Sequence, residues 1–175
     1  MTDDVKTVSG NQKRRMRSAA RFYAVQALFQ MEHSQQSVNS VVQEFLSHRF
    51  GAELDEGVDM ADGDIDLFRK LIEDAVNWQA KIDQMTDRAI VAKWKIDRID
   101  PTLRALFRAA GAEMVNSDTP PKVVIMEFVD IAKSFYPEGR EPKFVNAVLD
   151  HMARCLLYTS PSPRDLSTSR MPSSA

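Results

Sequence analysis

The chain has a single cysteine, Cys155, so no disulfide can form within it. That suits a reducing compartment and leaves stability to the core. No apolar run approaches the roughly 18 residues a membrane helix needs. The first residues, Met1-Thr2-Asp3-Asp4-Val5, are polar and acidic, unlike a secretory signal. The six glycines are dispersed and build no Gly-rich phosphate loop. His33, His48 and His151 are scattered, without metal-ligand spacing to a second His or Cys. Cys155 has no base nearby in sequence, so a catalytic thiol is unsupported. The acidic stretch containing Glu53, Asp55, Glu56, Asp59, Asp62, Asp64 and Asp66 lacks the ligand order of a calcium loop and reads as a solvated loop. The expectation is a cytoplasmic protein that is not an enzyme, with no cofactor and no metal.

What remains is an ordinary globular composition. The chain has 175 residues, 43% of them hydrophobic and 27% charged, enough for one domain with tails. Its charge is unevenly placed. Between Val5 and Met31 there is no acidic residue, while Lys6, Lys13, Arg14, Arg15, Arg17 and Arg21 supply six positive charges. With a formal net charge of −2, the rest of the chain therefore carries about −8. Such sign asymmetry points to a polyanionic partner.

Periodicity organises the middle of the chain. Residues 1–12 read as a flexible arm. A helix follows from Lys13 to Glu32, with Phe22, Val25 and Phe29 on one stripe. Ser37 caps a second helix from Val38 to Arg49, and Gly51 ends it. After an acidic loop, Asp64 caps a longer helix whose apolar face runs from Ile65 to Met85, with a break before Ile90. Asp100 followed by Pro101 is a start signal, a capping carboxylate and then a residue that needs no N–H partner. Thr119-Pro120-Pro121 repeats that kind of start. The run Val123-Val124-Ile125 looks strand-like, but Val124, Phe128, Ile131 and Phe135 recur with helical period. Tyr136-Pro137-Glu138-Gly139 breaks that helix. A last one runs from Lys143 to Leu156. The fold expected is all-α, a bundle of about seven helices over residues 13–157. The tail, residues 158–175, is rich in Ser, Pro and Thr and cannot bury enough surface to order itself. Its abrupt onset points to a read-through, assembly or cloning scar.

Two segments carry candidate binding residues. Positive charge in the first turns of a helix opposes the helix dipole, so folding gives no reason to place Arg14, Arg15, Arg17 and Arg21 there. Arg14, Arg17 and Arg21 fall on one helical edge, and the planar guanidinium suits phosphate. A solvated basic face fits the same residues. The second segment is Lys143-Phe144-Val145-Asn146. It offers a cation for phosphate, a ring for stacking an unpaired base and an amide for a base edge. Phe144 fits a core position equally well.

Three blocks resemble the bacterial NusB family in order and spacing. The first is Arg17 followed by Ala24-Val25-Gln26-Ala27-Leu28-Phe29-Gln30. The second is Trp94-Lys95-Ile96-Asp97-Arg98-Ile99-Asp100, then Leu103-Arg104-Ala105-Leu106-Phe107-Arg108 and Glu113. The third is Pro121-Lys122-Val123-Val124-Ile125, Glu127, Ile131-Ala132-Lys133, and then Lys143 through Asp150. The resemblance implies two packed helical subdomains. It implies transcription antitermination through boxA, a single-stranded element of nascent ribosomal RNA. It also implies NusE, a small-subunit ribosomal protein, as partner, alongside other Nus factors and RNA polymerase. It carries the RNA role to Arg17, Arg21, Lys143, Phe144 and Asn146, and charge alone adds Lys13, Arg14 and Arg15. It leaves the residues touching NusE unassigned, and homodimerisation without RNA open. The chain departs from the family pattern at Phe29, where Tyr is usual, and at Met126, Ala147 and Ala112, where Asn, Gly and an aromatic are usual. Two other readings stay open: the truncated N-terminal domain of a ribosomal RNA cytosine methyltransferase, and a purely protein-binding helical adaptor.

Overall fold

The computed structural model describes residues 9–50, 62–93 and 99–159. Seven helices follow one another: α1 (Gly10–Ser34), α2 (Val38–His48), α3 (Asp62–Asn77), α4 (Gln79–Lys93), α5 (Pro101–Val115), α6 (Pro121–Phe135) and α7 (Glu141–Thr159). There is no strand among the described residues. Residues 1–8 of the proposed arm, most of the acidic loop, the Trp94–Arg98 part of the second block and residues 160–175 of the tail lie outside them.

Helix starts follow local chemistry. The Ser37 hydroxyl accepts from the N–H of Ser40 at 3.1 Å, and the Asp100 carboxylate from the N–H of Thr102 at 2.7 Å. Pro101 occupies the first position of α5. Elsewhere the boundaries move. α1 begins at Gly10, within the proposed arm, because Ser9 caps it by accepting from the N–H of Gln12. α3 begins at Asp62, which leaves Asp64 inside the helix rather than at its cap. Pro120, not Thr119, precedes α6, with no side-chain cap. The Thr119 hydroxyl instead accepts from that of Ser117 in the connecting turn. α7 starts two residues earlier than Lys143 and runs on through Thr159, into the first residues of the expected tail. The single longer helix expected from Ile65 to Met85 is instead two: the chain breaks at Trp78, inside that apolar face, and α4 runs without interruption past Met85 and Ile90.

α5 is the centre of the molecule. Leu103 and every residue from Ala105 to Glu113 except Arg108 are buried. A helix apolar on all sides belongs inside a fold. It packs against α1, α3, α4, α6 and α7. Its small residues let neighbours come close: a Cβ on Gly111 would stand 2.5 Å from Cγ2 of Ile82 on α4. The N-terminal group α1–α3 and the C-terminal group α4–α7 thus form two packed helical layers sharing one core, in which Phe68, Phe107 and Phe128 are fully buried.

Candidate nucleic-acid interface

The cationic start of α1 opens onto a groove of about 1120 Å³, walled by α3, the α5–α6 connection and α6. Lys13, Arg14 and Arg17 line it from α1, all within about one helical turn. All three are exposed, and none takes part in an ion pair among the described residues. No acidic residue in the first turn offsets them. Arg15 is exposed as well, but it does not line this groove.

Across the groove stands Lys70 of α3. Its ammonium donates to Asp74 at 2.5 Å and to the carbonyl of Asn116. The Asn116 side-chain amide in turn donates to Asp74 at 3.2 Å. The cation is thereby fixed at the wall while still half exposed.

Arg21 is a correction to the expected set. It sits on the same edge as Arg14 and Arg17, but at the floor, only 3% exposed. Its guanidinium is already committed. Nε and Nη2 donate to the two oxygens of Glu113 at 2.7 and 2.8 Å, and Nη1 lies 3.6 Å from Glu127. Ser18 adds a bond of 2.7 Å to Glu127. Burial works to lower the Arg21 pKa. The hydrogen bond and charge of Glu113, helped by Glu127, outweigh it and raise the value. A charge taken out of water needs such a partner. Arg21 ties α1 to α5 and α6 and so sets which edge of α1 faces the groove.

Phe144 is the second correction. It is 6% exposed and meets Phe107 edge to face at 5.9 Å, so its ring belongs to the core and is not free to stack on a base. Lys143 and Asn146, on the other side of α7, are exposed. Asn146 lines a second groove of about 430 Å³ between α6 and α7, with Lys122, Ile125, Met126 and Val129 of α6. Lys143 lies one turn before Asn146 and outside that groove. Sequence reading missed Lys70, Lys122 and Met126, which only tertiary packing brings beside the expected residues.

A third, mainly apolar cleft of about 440 Å³ lies at the C-terminal half of α1. Phe29, 37% exposed, lies tilted against His33 there, ring centroids 4.3 Å apart, with Arg49 and Phe135 nearby. Among the described residues no helix is long and apolar enough to cross a membrane, and no cluster of His, Cys, Asp and Glu could hold a metal ion.

Comparison with known proteins finds relatives of the chain. The model of the NusB family matches residues 18–154. The transcription antitermination protein NusB of Caulobacter vibrioides is 47% identical, over 84% of this chain and 97% of its own length. That of Maricaulis maris is 43% identical, over 80% of this chain and 87% of its own. Among solved structures, a T. maritima NusB superposes with a TM-score of 0.62 at 28% identity, covering 79% of this chain and 90% of its own. A chain from a complex of antitermination factors NusB and NusE with double-stranded RNA superposes with a TM-score of 0.66 at 23% identity, covering 81% of this chain and 98% of its own.

Proposed function

The chain belongs to the NusB family, and we propose that it is a transcription antitermination factor that holds boxA of nascent ribosomal RNA as a single strand together with NusE. It acts by binding rather than catalysis, in the bacterial cytoplasm, as one component of an assembly with other Nus factors on RNA polymerase. The observation that carries the RNA part is the groove of α1, where Lys13, Arg14 and Arg17 stand exposed, without an ion pair among the described residues, opposite an anchored Lys70. Folding gains nothing from cations at a helix N-terminus, and phosphates would offset them. Arg15, Lys143 and Asn146 extend the surface. Arg21 and Phe144 contribute from beneath it, by holding α1 and α7 in place.

The protein partner takes the apolar cleft at Phe29. It lies about 20 Å along α1 from the Arg15–Arg17 turn, by helical rise, so RNA and protein need not compete. An exposed ring in an apolar cleft suits a protein surface better than a phosphate chain.

Fluorescence anisotropy with a labelled boxA RNA, a scrambled RNA of equal length and a duplex competitor tests this reading, with and without NusE. Selective single-strand binding that tightens with NusE is expected. Equal weak binding to every RNA, unmoved by NusE, would contradict it and favour the helical adaptor.

A further inference from the structure

Two grooves meet at one side chain. Met126 lines both the cationic groove of α1 and the smaller groove between α6 and α7. It is 59% exposed, while Val124, Phe128 and Ile131 of the same helix are buried. The core makes no use of it, and a polar residue would serve the surface as well.

The grooves differ in chemistry. The first offers exposed cations with no ion pair among the described residues. The second has Ile125 and Val129 on its floor and Asn146 on its α7 wall. Its charges cancel: Lys122 and Lys133 stand against Asp130 and Asp150. Asp130 and Asp150 are further engaged by Lys133 at 3.9 Å and Arg154 at 3.1 Å. Its interior, where these charges offset one another, holds a phosphate poorly, and any phosphate contact falls to the exposed Lys122. An apolar floor beside an amide that both donates and accepts suits a flat, uncharged base. Lys122 appears in none of the ion pairs among the described residues and stands one turn before Met126, where it can meet the phosphate of that nucleotide.

Building on the RNA-binding reading above, we infer that the α6–α7 groove is a nucleobase slot and that Met126 is the bridge by which a single RNA strand crosses α6 into it. The thioether is polarisable and packs well against an aromatic ring. One strand then touches both the α1 cations and Asn146. Met126 and Asn146 read a base, while Lys13, Arg14, Arg17 and Lys122 hold phosphates.

The test compares wild type, Met126→Ala and Asn146→Ala on single-stranded boxA RNA and on the same RNA with one abasic ribose stepped along it. Met126→Ala is expected to weaken intact RNA about 2- to 10-fold. The slope of log affinity against log salt should not move, since no charge is lost. At one abasic position both variants should bind as wild type does. Met126 is exposed, so the variant folds, and its thermal melt checks this. Wild-type affinity in Met126→Ala, or an equal loss on every abasic RNA, would overturn the slot while the salt-dependent binding of the α1 groove stood. Failure of the wild type to bind any RNA in a salt-dependent way would overturn the slot and the RNA reading together.

Discussion

Removing Glu113 should strongly destabilise the protein without touching its surface. Glu113 is 1% exposed and receives both hydrogen bonds of the Arg21 fork, at 2.7 and 2.8 Å. Glu113→Ala leaves a guanidinium buried with only Glu127, at 3.6 Å, to face it. Breaking a buried pair by deleting one partner costs about 3–5 kcal/mol. Domains of this size are stable by only about 5–15 kcal/mol. With a urea slope near 2 kcal/mol per molar, the midpoint should fall by about 2 M. Replacing both partners together, as Arg21→Met with Glu113→Leu, should recover most of that loss, because nothing charged is left uncompensated. Glu127 keeps the Ser18 hydrogen bond and is 13% exposed, so the double variant does not strand it. Urea denaturation followed by circular dichroism measures both. A loss under about 1 kcal/mol for Glu113→Ala, or a double variant no better than the single, would refute the claim that the buried pair fixes α1.

Three further outcomes follow from other parts of the molecule. Gly111→Ala should destabilise by about 1–3 kcal/mol despite the better helix propensity of Ala, since the new Cβ would stand 2.5 Å from Cγ2 of Ile82; the urea midpoint reads it, and a midpoint at or above wild type contradicts it. The Tyr136 phenol is pushed up to about 12, first by burial and then by its hydrogen bond to Asp100. Its folded value lies above the unfolded value near 10, so its stabilising contribution is complete below about pH 10 and is lost as pH rises through about 12; a Tyr136→Phe variant should show a shallower fall of stability over that window, and identical curves would count against it. Phe29→Asp should abolish the gain in RNA affinity brought by NusE while leaving RNA binding by the chain alone unchanged; a retained gain would move the protein partner away from this cleft.

The helices were legible because their signals are local. Ser37, Asp100 and Pro101 act within one turn, and the Val124–Phe128–Ile131 stripe needs only the 3.6-residue period. The binding surface was legible only in part. Lys13, Arg14 and Arg17 share an edge that a helical wheel shows, but the wheel also enrols Arg21, since it cannot see Glu113, 92 residues away, lying against it. A signal was present: a carboxylate set among Ala109, Ala110, Gly111 and Ala112 on a buried helix requires a cation. Phe144 could have been withdrawn on similar grounds, because it shares the stripe of Val148 and Met152, both buried. The start of α6 misled for another reason: the Thr119 hydroxyl was taken by Ser117 in the turn, a competition among short polar side chains that sequence spacing does not resolve. Met126 showed in sequence only as a departure from the family pattern and Lys70 not at all, as each matters only for what packing sets beside it.

The central claim is that the exposed edge of α1 holds RNA phosphates, and its salt dependence tests it most directly. Each cation paired with a single-strand phosphate contributes about 0.7 to the slope of log affinity against log salt. Wild type and the Arg14→Ala/Arg17→Ala double variant would be titrated with single-stranded boxA RNA over a salt series. A slope lower by about 1.4 in the double variant, with the fold intact, is the predicted result. An unchanged slope would remove Arg14 and Arg17 from the RNA surface and contradict the account.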